Sequence, residues 1–265
     1  MRAKSIIHLI AIGLLGAGCE VPIDVKLEEG QQKVVIESWI TDLNEPRIVR
    51  ITRTTPFTGD PAPVYVSGAE VVLSDASGQR DTLFEIRPGY YESTEFMTQQ
   101  QMDYTLEVMV DGQTYTGHNR IPRINPLAQT SYFYSDTIVF GPGYYVGILA
   151  PEPPGRGDFY QFRLYRNDSL FNSSFDIIVI DDRFADGQLS PFMYPYPHEL
   201  GDTVVVEVRA ITNLGYDYLL TLQQQSSGGG GPFGSPPDNI VTNWDNGALG
   251  FFGTAAVVKD TIVIQ

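Results

Sequence analysis

Tyr104-Thr105-Leu106-Glu107-Val108-Met109-Val110-Asp111-Gly112-Gln113-Thr114-Tyr115-Thr116 decides the fold class. Tyr104, Leu106, Val108 and Val110 alternate with smaller or polar residues, the period that puts one side of an extended chain in a core. Asp111-Gly112 is a dipeptide that type I′ turns favour, because both central residues of such a turn need positive φ. The stretch therefore reads as a β-hairpin, and the text on either side repeats its grammar.

Upstream, Val34, Val35, Ile36, Trp39 and Ile40 form a β-branched and aromatic run, and Val49 and Ile51 alternate with Arg50 and Thr52. Val71 to Leu73 leads into the turn cluster Ser74 to Gly78, Thr82 to Ile86 returns, and Pro88-Gly89 turns again before Tyr90-Tyr91. Strands joined by short turns predict an antiparallel sandwich over 33–122. Ile121-Pro122-Arg123-Ile124-Asn125-Pro126 reads as a boundary, since two prolines interrupt helix and central strand alike. A second β-rich domain is expected over 123–265. Its strands are placed at Ser131–Phe140, Tyr144–Leu149, Asp158–Tyr165, Phe175–Ile180 and Thr203–Ile211, with a closing pair at Ala248–Val258 and Thr261–Gln265. One helix is expected at about 214–225, capped by Thr212 or Asn213, with Leu214, Tyr218, Leu219 and Leu222 at helical spacing. Gly228 to Gly231 end it inside a glycine-rich loop, 226–238. The expectation is thus an all-β protein of two β-sandwich-like domains, the second carrying one helix near the C-terminus.

The N-terminus carries an address. Arg2 and Lys4 precede an apolar run from Ile6 to Leu15 and the small residues Gly16-Ala17-Gly18, the pattern of a secretory signal peptide too short to span a bilayer. Cys19 follows at once and is the chain's one cysteine, so it has no partner within the chain for a disulfide. The stretch resembles a bacterial lipoprotein signal, 1–18, in which Cys19 becomes the acylated first residue. An acidic tether, 19–32, comes next; Glu20 and Asp24 resemble an export pattern of surface lipoproteins or serve simply as a solvated linker.

The chain has 265 residues and a formal charge of −15 at pH 7, with 15 Tyr and 14 Phe. Aromatic content this high supplies a core, and charge this negative is repelled by phosphate backbones, which excludes nucleic acid as a partner. No later stretch is apolar for long enough to cross a bilayer as a helix, so membrane attachment rests on the lipid.

Two family likenesses sit on these residues. Gly68-Ala69, Val71, Leu73, Gly78, Gly89-Tyr90-Tyr91 and Tyr104-Thr105-Leu106 resemble the carboxypeptidase-regulatory or transthyretin-like sandwiches, a likeness of fold only. Tyr216-Asp217-Tyr218-Leu219, the glycine-rich loop, Pro236-Pro237-Asp238-Asn239-Ile240 and Gly247-Ala248-Leu249-Gly250-Phe251-Phe252 resemble the closing motif of the domain-of-unknown-function 4249 family. Cys19-Glu20, Val34-Val35-Ile36-Glu37 and Gly68-Ala69 resemble its N-terminal counterpart. The resemblance implies a Bacteroidota outer-membrane lipoprotein, often encoded near TonB-dependent transporters of the SusC type, and the expected placement is lipid-anchored and facing the cell exterior. No activity comes with it. Gly247 and Gly250 fit tight turns or close backbone approach, and Phe251 and Phe252 fit core packing.

The chemistry-bearing residues are sparse. His118 and His198 form no zinc pair at helical spacing, and neither a nucleophile elbow nor a phosphate loop occurs, so no catalytic residue, metal site or cofactor is assigned. Asp181-Asp182-Arg183-Phe184-Ala185-Asp186-Gly187 offers oxygens on a loop but fails the EF-hand spacing; it reads as a solvated acidic turn, with calcium as the alternative. In Ser190-Pro191-Phe192-Met193-Tyr194-Pro195-Tyr196-Pro197-His198 the prolines argue against regular pairing. Phe192, Tyr194 and Tyr196 then either line a stiff binding loop for a glycan or peptide, or fold back over a sheet edge; Tyr144 and Tyr145 beside Gly143 are a second such pair. Asp81-Thr82-Leu83, Asp136-Thr137-Ile138, Asp168-Ser169-Leu170, Asp202-Thr203-Val204 and Asp260-Thr261-Ile262 resemble an O-glycosylation tripeptide of exported Bacteroidota proteins. Together these features predict a non-enzymatic accessory or ligand-binding partner of a transporter; the alternatives are a structural or adhesive surface protein and, behind it, a hydrolase.

Overall fold

The hairpin at 104–116 forms as expected, with Asp111 at φ 52° and Gly112 at φ 79° in its turn. The structure is a computed structural model, and it describes residues 32–55, 62–226 and 240–265. The signal sequence, Cys19, nearly all of the tether and the four-glycine run lie outside the described residues.

The described chain is mostly strand. The order is β1 (Val34–Thr41), β2 (Arg47–Arg53), β3 (Val64–Tyr65), β4 (Glu70–Asp75), β5 (Arg80–Arg87), β6 (Tyr90–Ser93), β7 (Asp103–Val110) and β8 (Gln113–Arg120), then β9 (Gln129–Ser135), β10 (Gly143–Pro151), β11 (Phe159–Arg166) and β12 (Ser169–Leu170). A 3₁₀ turn at Ser174–Asp176 precedes β13 (Ile178–Asp181), β14 (Leu189–Met193) and β15 (Thr203–Ile211); α1 (Asn213–Ser226) and β16 (Leu249–Val263) close the chain. The fold is therefore all-β with one helix. A large sheet runs β12-β11-β15-β16-β1-β2-β6-β5-β4-β7-β8, with β13 on β11 and β3 on β2, and a small sheet runs β14-β10-β9.

β16 holds the two halves of the chain together. Its first part pairs parallel with β1 from Val35↔Leu249 to Thr41↔Ala255, and its second pairs antiparallel with β15 from Ile211↔Ala255 to Thr203↔Val263. Ala255 has a partner on each edge. The expected closing pair of strands is thus one strand of 15 residues, with no turn at Asp260-Thr261. The boundary expected at residues 121–126 is an irregular stretch whose first residue, Ile121, is fully buried and exchanges backbone hydrogen bonds with Gln101 and Met102. Strands on its two sides are paired directly through β16, and residues 32–265 form one compact unit.

The large sheet curls until β8, its last strand, lies beside the first part of β16. Side chains stand in for a ladder there. The Asn119 amide donates to the Phe252 carbonyl at 2.8 Å, Thr254 Oγ1 donates to the Arg120 carbonyl at 2.6 Å, and Asn243 donates to and accepts from the Phe252 backbone. Trp244 is buried across this seam and donates its indole N–H to the Ile36 carbonyl at 3.0 Å. Phe252 points into the main core, while its neighbour Phe251 points to the other face of the sheet and stacks on Tyr218 of α1 with centroids 4.6 Å apart. The helix is capped by Thr212, whose Oγ1 accepts from the Gly215 amide. Tyr218 and Leu219 are its buried apolar side chains, whereas Leu214 faces out.

Candidate functional site

The walls of an apolar cleft come from segments far apart in sequence. β10 ends at Pro151 and delivers Glu152, β11 delivers Tyr160 and Phe162, β14 delivers Phe192, and the loop after β13 delivers Asp182. The cleft has a volume of about 80 Å³ and apolar walls that include Ile124, Leu127 and Val208. Phe162 and Phe192 stack across it with centroids 4.2 Å apart.

Glu152 and Asp182 at its polar corner meet a third acid, Asp158, just behind them. One oxygen each from Glu152, Asp158 and Asp182 lies within 4.8 Å of the other two. Asp182 is buried, and its Oδ2 accepts from the Gly157 amide at 2.7 Å and the Asp158 amide at 3.2 Å. The Asp182 amide donates back to the Asp158 carbonyl, so two loops are laced together at this point. Arg123 reaches Asp158 at 3.4 Å. Glu152 accepts from the Tyr160 hydroxyl at 3.0 Å. Burial is the main cause that pushes the Glu152 carboxyl up to about 7, and the charges of Asp158 and Asp182 add to it against the Tyr160 hydrogen bond. Burial likewise raises the Tyr160 hydroxyl, so it remains a proton donor throughout the ordinary pH range. Oxygens this close have two chemical options: to hold a hard cation or to share a proton. Below about pH 7 Glu152 is mostly the neutral acid, a proton donor facing Asp158 and Asp182.

Below pH 4.5 Glu152 is protonated in both the folded and unfolded chain; between pH 4.5 and about 7 the folded chain alone keeps the proton, so stability falls as pH rises through that window. The loss is up to about 3 kcal/mol before solvent screening reduces it. Glu152→Gln is expected to remove this slope and to be the more stable protein at pH 8, read from urea midpoints at pH 5 and pH 8.

The residues singled out from sequence are distributed unevenly around this site. The acidic loop 181–187 does not converge on itself: Asp181 is taken by Arg183 at 2.8 Å, Asp186 accepts from the Gly155 amide at 2.7 Å, and Asp182 turns to Glu152 and Asp158. Of the aromatics, Phe192 lines the cleft. Tyr194 and Tyr145 are fully buried, and Tyr196 stacks on Phe171 at 4.7 Å and donates to Asp176. Tyr144 packs edge-on against Tyr132 and Tyr134. The stiff loop expected at 190–198 is in its first part a strand, since β14 pairs with β10 from Pro151↔Leu189 to Gly147↔Met193. Tyr194 donates its amide to Val146, which fixes the alternation and turns the Pro191 backbone nitrogen to the outer edge, where no ladder bond is lost. Of the two readings of these aromatics, folding back over the sheet is the one the structure takes for Tyr194 and Tyr145. His118 bonds Thr105 on the β7–β8 ladder, while His198 is buried opposite Tyr144, so the two histidines serve separate strands. Thr82, Thr137, Ser169 and Thr261 are exposed and Thr203 is half-buried.

Fold and cleft define an all-β protein with one helix, whose apolar cleft is closed at one corner by carboxylates. Residues 20–261 match the family model described as Domain of unknown function (DUF4249), and the chain belongs to that family. No curated protein matches the chain.

Proposed function

We propose that the protein is a lipid-anchored, non-enzymatic binding protein of the outer membrane, facing the cell exterior, and an accessory to a TonB-dependent transporter of the SusC type in nutrient uptake. The observation that carries the reading is the lone Cys19 directly after a signal-type apolar run, with no helix among the described residues long and apolar enough to cross a membrane. A binding role is supported by the cleft, whose apolar walls and single polar corner are the ordinary make-up of a small-ligand site. The test is a native pull-down from detergent-solubilised outer membrane with a C-terminal tag and a Cys19→Ala control. One enriched barrel with the wild type and none with Cys19→Ala is the expected result. A wild type that stays in the membrane and enriches no barrel would remove the transporter role and favour a structural or adhesive one. A hydrolase is favoured by one arrangement, Glu152 beside Asp182 with its carboxyl pushed up to about 7 by burial, and a turnover abolished by Glu152→Gln would be needed to carry it.

A further inference from the structure

The two edges of the small sheet are built differently. On β14 the outward position holds Pro191, whose missing N–H blocks the addition of a further strand. On β9 nothing comparable stands. Gln129-Thr130-Ser131-Tyr132-Phe133-Tyr134-Ser135 has no proline and no charge, is seven residues long, and pairs among the described residues with β10 only. Among the described residues this edge thus lacks the charge and the proline that ordinarily protect an open strand; Tyr132 is tied to the chain end, its hydroxyl donating to the Gln265 carbonyl at 2.9 Å and accepting from the Gln265 amide at 3.1 Å.

The direction of its free groups can be read from the ladder. Tyr144 and His198 exchange both backbone hydrogen bonds, so the Tyr144 N–H and C=O point away from β9. Antiparallel pairs alternate. Phe133 therefore faces Tyr145 in a bonded pair, and Thr130, Tyr132 and Tyr134 present their N–H and C=O groups outward. Phe133 is 47% exposed and Tyr134 is 59% exposed, and beyond them the hairpin carries Val139 at 89% and Phe140 at 55%. The site is also remote from the N-terminal end of β1. Val35 pairs with Leu249 at the beginning of β16, whereas Gly201, three residues past His198, bonds Ile264 just beyond its end. A strand of this length spans roughly 45 Å.

We infer that β9 is a docking edge that takes up an extended, uncharged or basic strand of a partner protein. A row of outward N–H and C=O groups is matched by another extended chain, with exposed aromatics beside it to grip alternate side chains. The sign of the partner follows from charge: seven uncharged residues lie on a body of net charge −15, which repels an acidic strand and a second copy of itself. The inference deepens the binding role proposed above and does not depend on the anchor, so loss of the transporter partnership leaves it standing.

The experiment pans full-length protein in detergent against phage-displayed random nine-residue peptides. Enriched peptides should alternate β-branched or aromatic residues with polar ones and lack Asp and Glu. A synthetic representative should bind Tyr134→Pro at least about tenfold more weakly than wild type, since that change removes one outward N–H and leaves the β10 ladder intact. In the wild-type protein the peptide should slow amide exchange at Thr130, Tyr132 and Tyr134, a readout that holds even if Tyr134→Pro fails to fold. No enrichment, equal binding to Tyr134→Pro in a folded variant, or protection elsewhere would overturn the proposal. So would a concentration-dependent dimer with protected β9 amides, which would make the occupant a second copy, or amides already slow in the free monomer, which would mean the chain covers its own edge.

Discussion

Glu207→Ala will cost the protein about 3 kcal/mol of folding stability, measured by denaturant unfolding at pH 7. The residue lies in the middle of β15, on the face turned away from the main core, yet its side chain is wholly buried. Register explains this. Arg163 of β11 and Lys259 of β16 stand directly opposite it on the two flanking strands, and both reach its carboxylate, at 2.8 Å and 2.9 Å. Arg209, two residues along the same strand, closes the ring at 2.6 Å. Burial works against the charge, but Arg209, Arg163 and Lys259 outweigh it and hold the carboxyl at about 2. Removing the acid leaves three cations facing one another. Because the folded carboxyl lies below its ordinary 4.5, its contribution is complete above pH 4.5 and is lost as pH falls from there through about 2. The acid limb of the stability curve should therefore flatten in Glu207→Gln. Glu107→Ala is the control: its pair with Arg80 is solvent-exposed, and a change within about 0.5 kcal/mol is expected.

Gly250→Ala is expected to cost more than about 3 kcal/mol, or to yield no folded protein, in thermal melts and soluble yield compared with wild type. Two penalties coincide. The residue has φ +86°, which an L side chain rarely adopts, and a Cβ there would stand 2.2 Å from the Ile36 carbonyl oxygen, inside the ladder that joins β1 to β16. A backbone oxygen cannot swing aside as a side chain does, so β1 itself would have to move. Gly247→Ala separates the two effects. Its φ is +78° with open space around it, so only the backbone penalty of about 1 kcal/mol is expected.

What the sequence disclosed and what it hid divide along a physical line. Features fixed by local geometry were legible: the alternation over Thr203–Ile211, the Asp111-Gly112 turn, the helix after Thr212, and glycines at 247 and 250 beside buried aromatics. Features fixed by which strand lies next to which were not. The burial of Glu207 depends on Arg163 and Lys259 standing across from it, and neither neighbour can be read from the residues beside it in the chain. Asp181, Asp182 and Asp186 looked like one acidic loop, while the real cluster draws Asp182 together with Glu152 and Asp158 from another connection. Pro191 was read as forbidding a strand, although a proline whose nitrogen faces an open edge forbids nothing.

The placement of β16 sets the order in which this molecule can be completed. β1 opens the described chain, and its parallel neighbour closes it. Without β16 one whole side of β1 has no strand to pair with, and β15 lacks the same neighbour. The sheet is thus completed at its centre only when the two ends of the chain meet, a high-contact-order arrangement that slows folding, and a chain cut short before residue 249 lacks the strand that joins its halves.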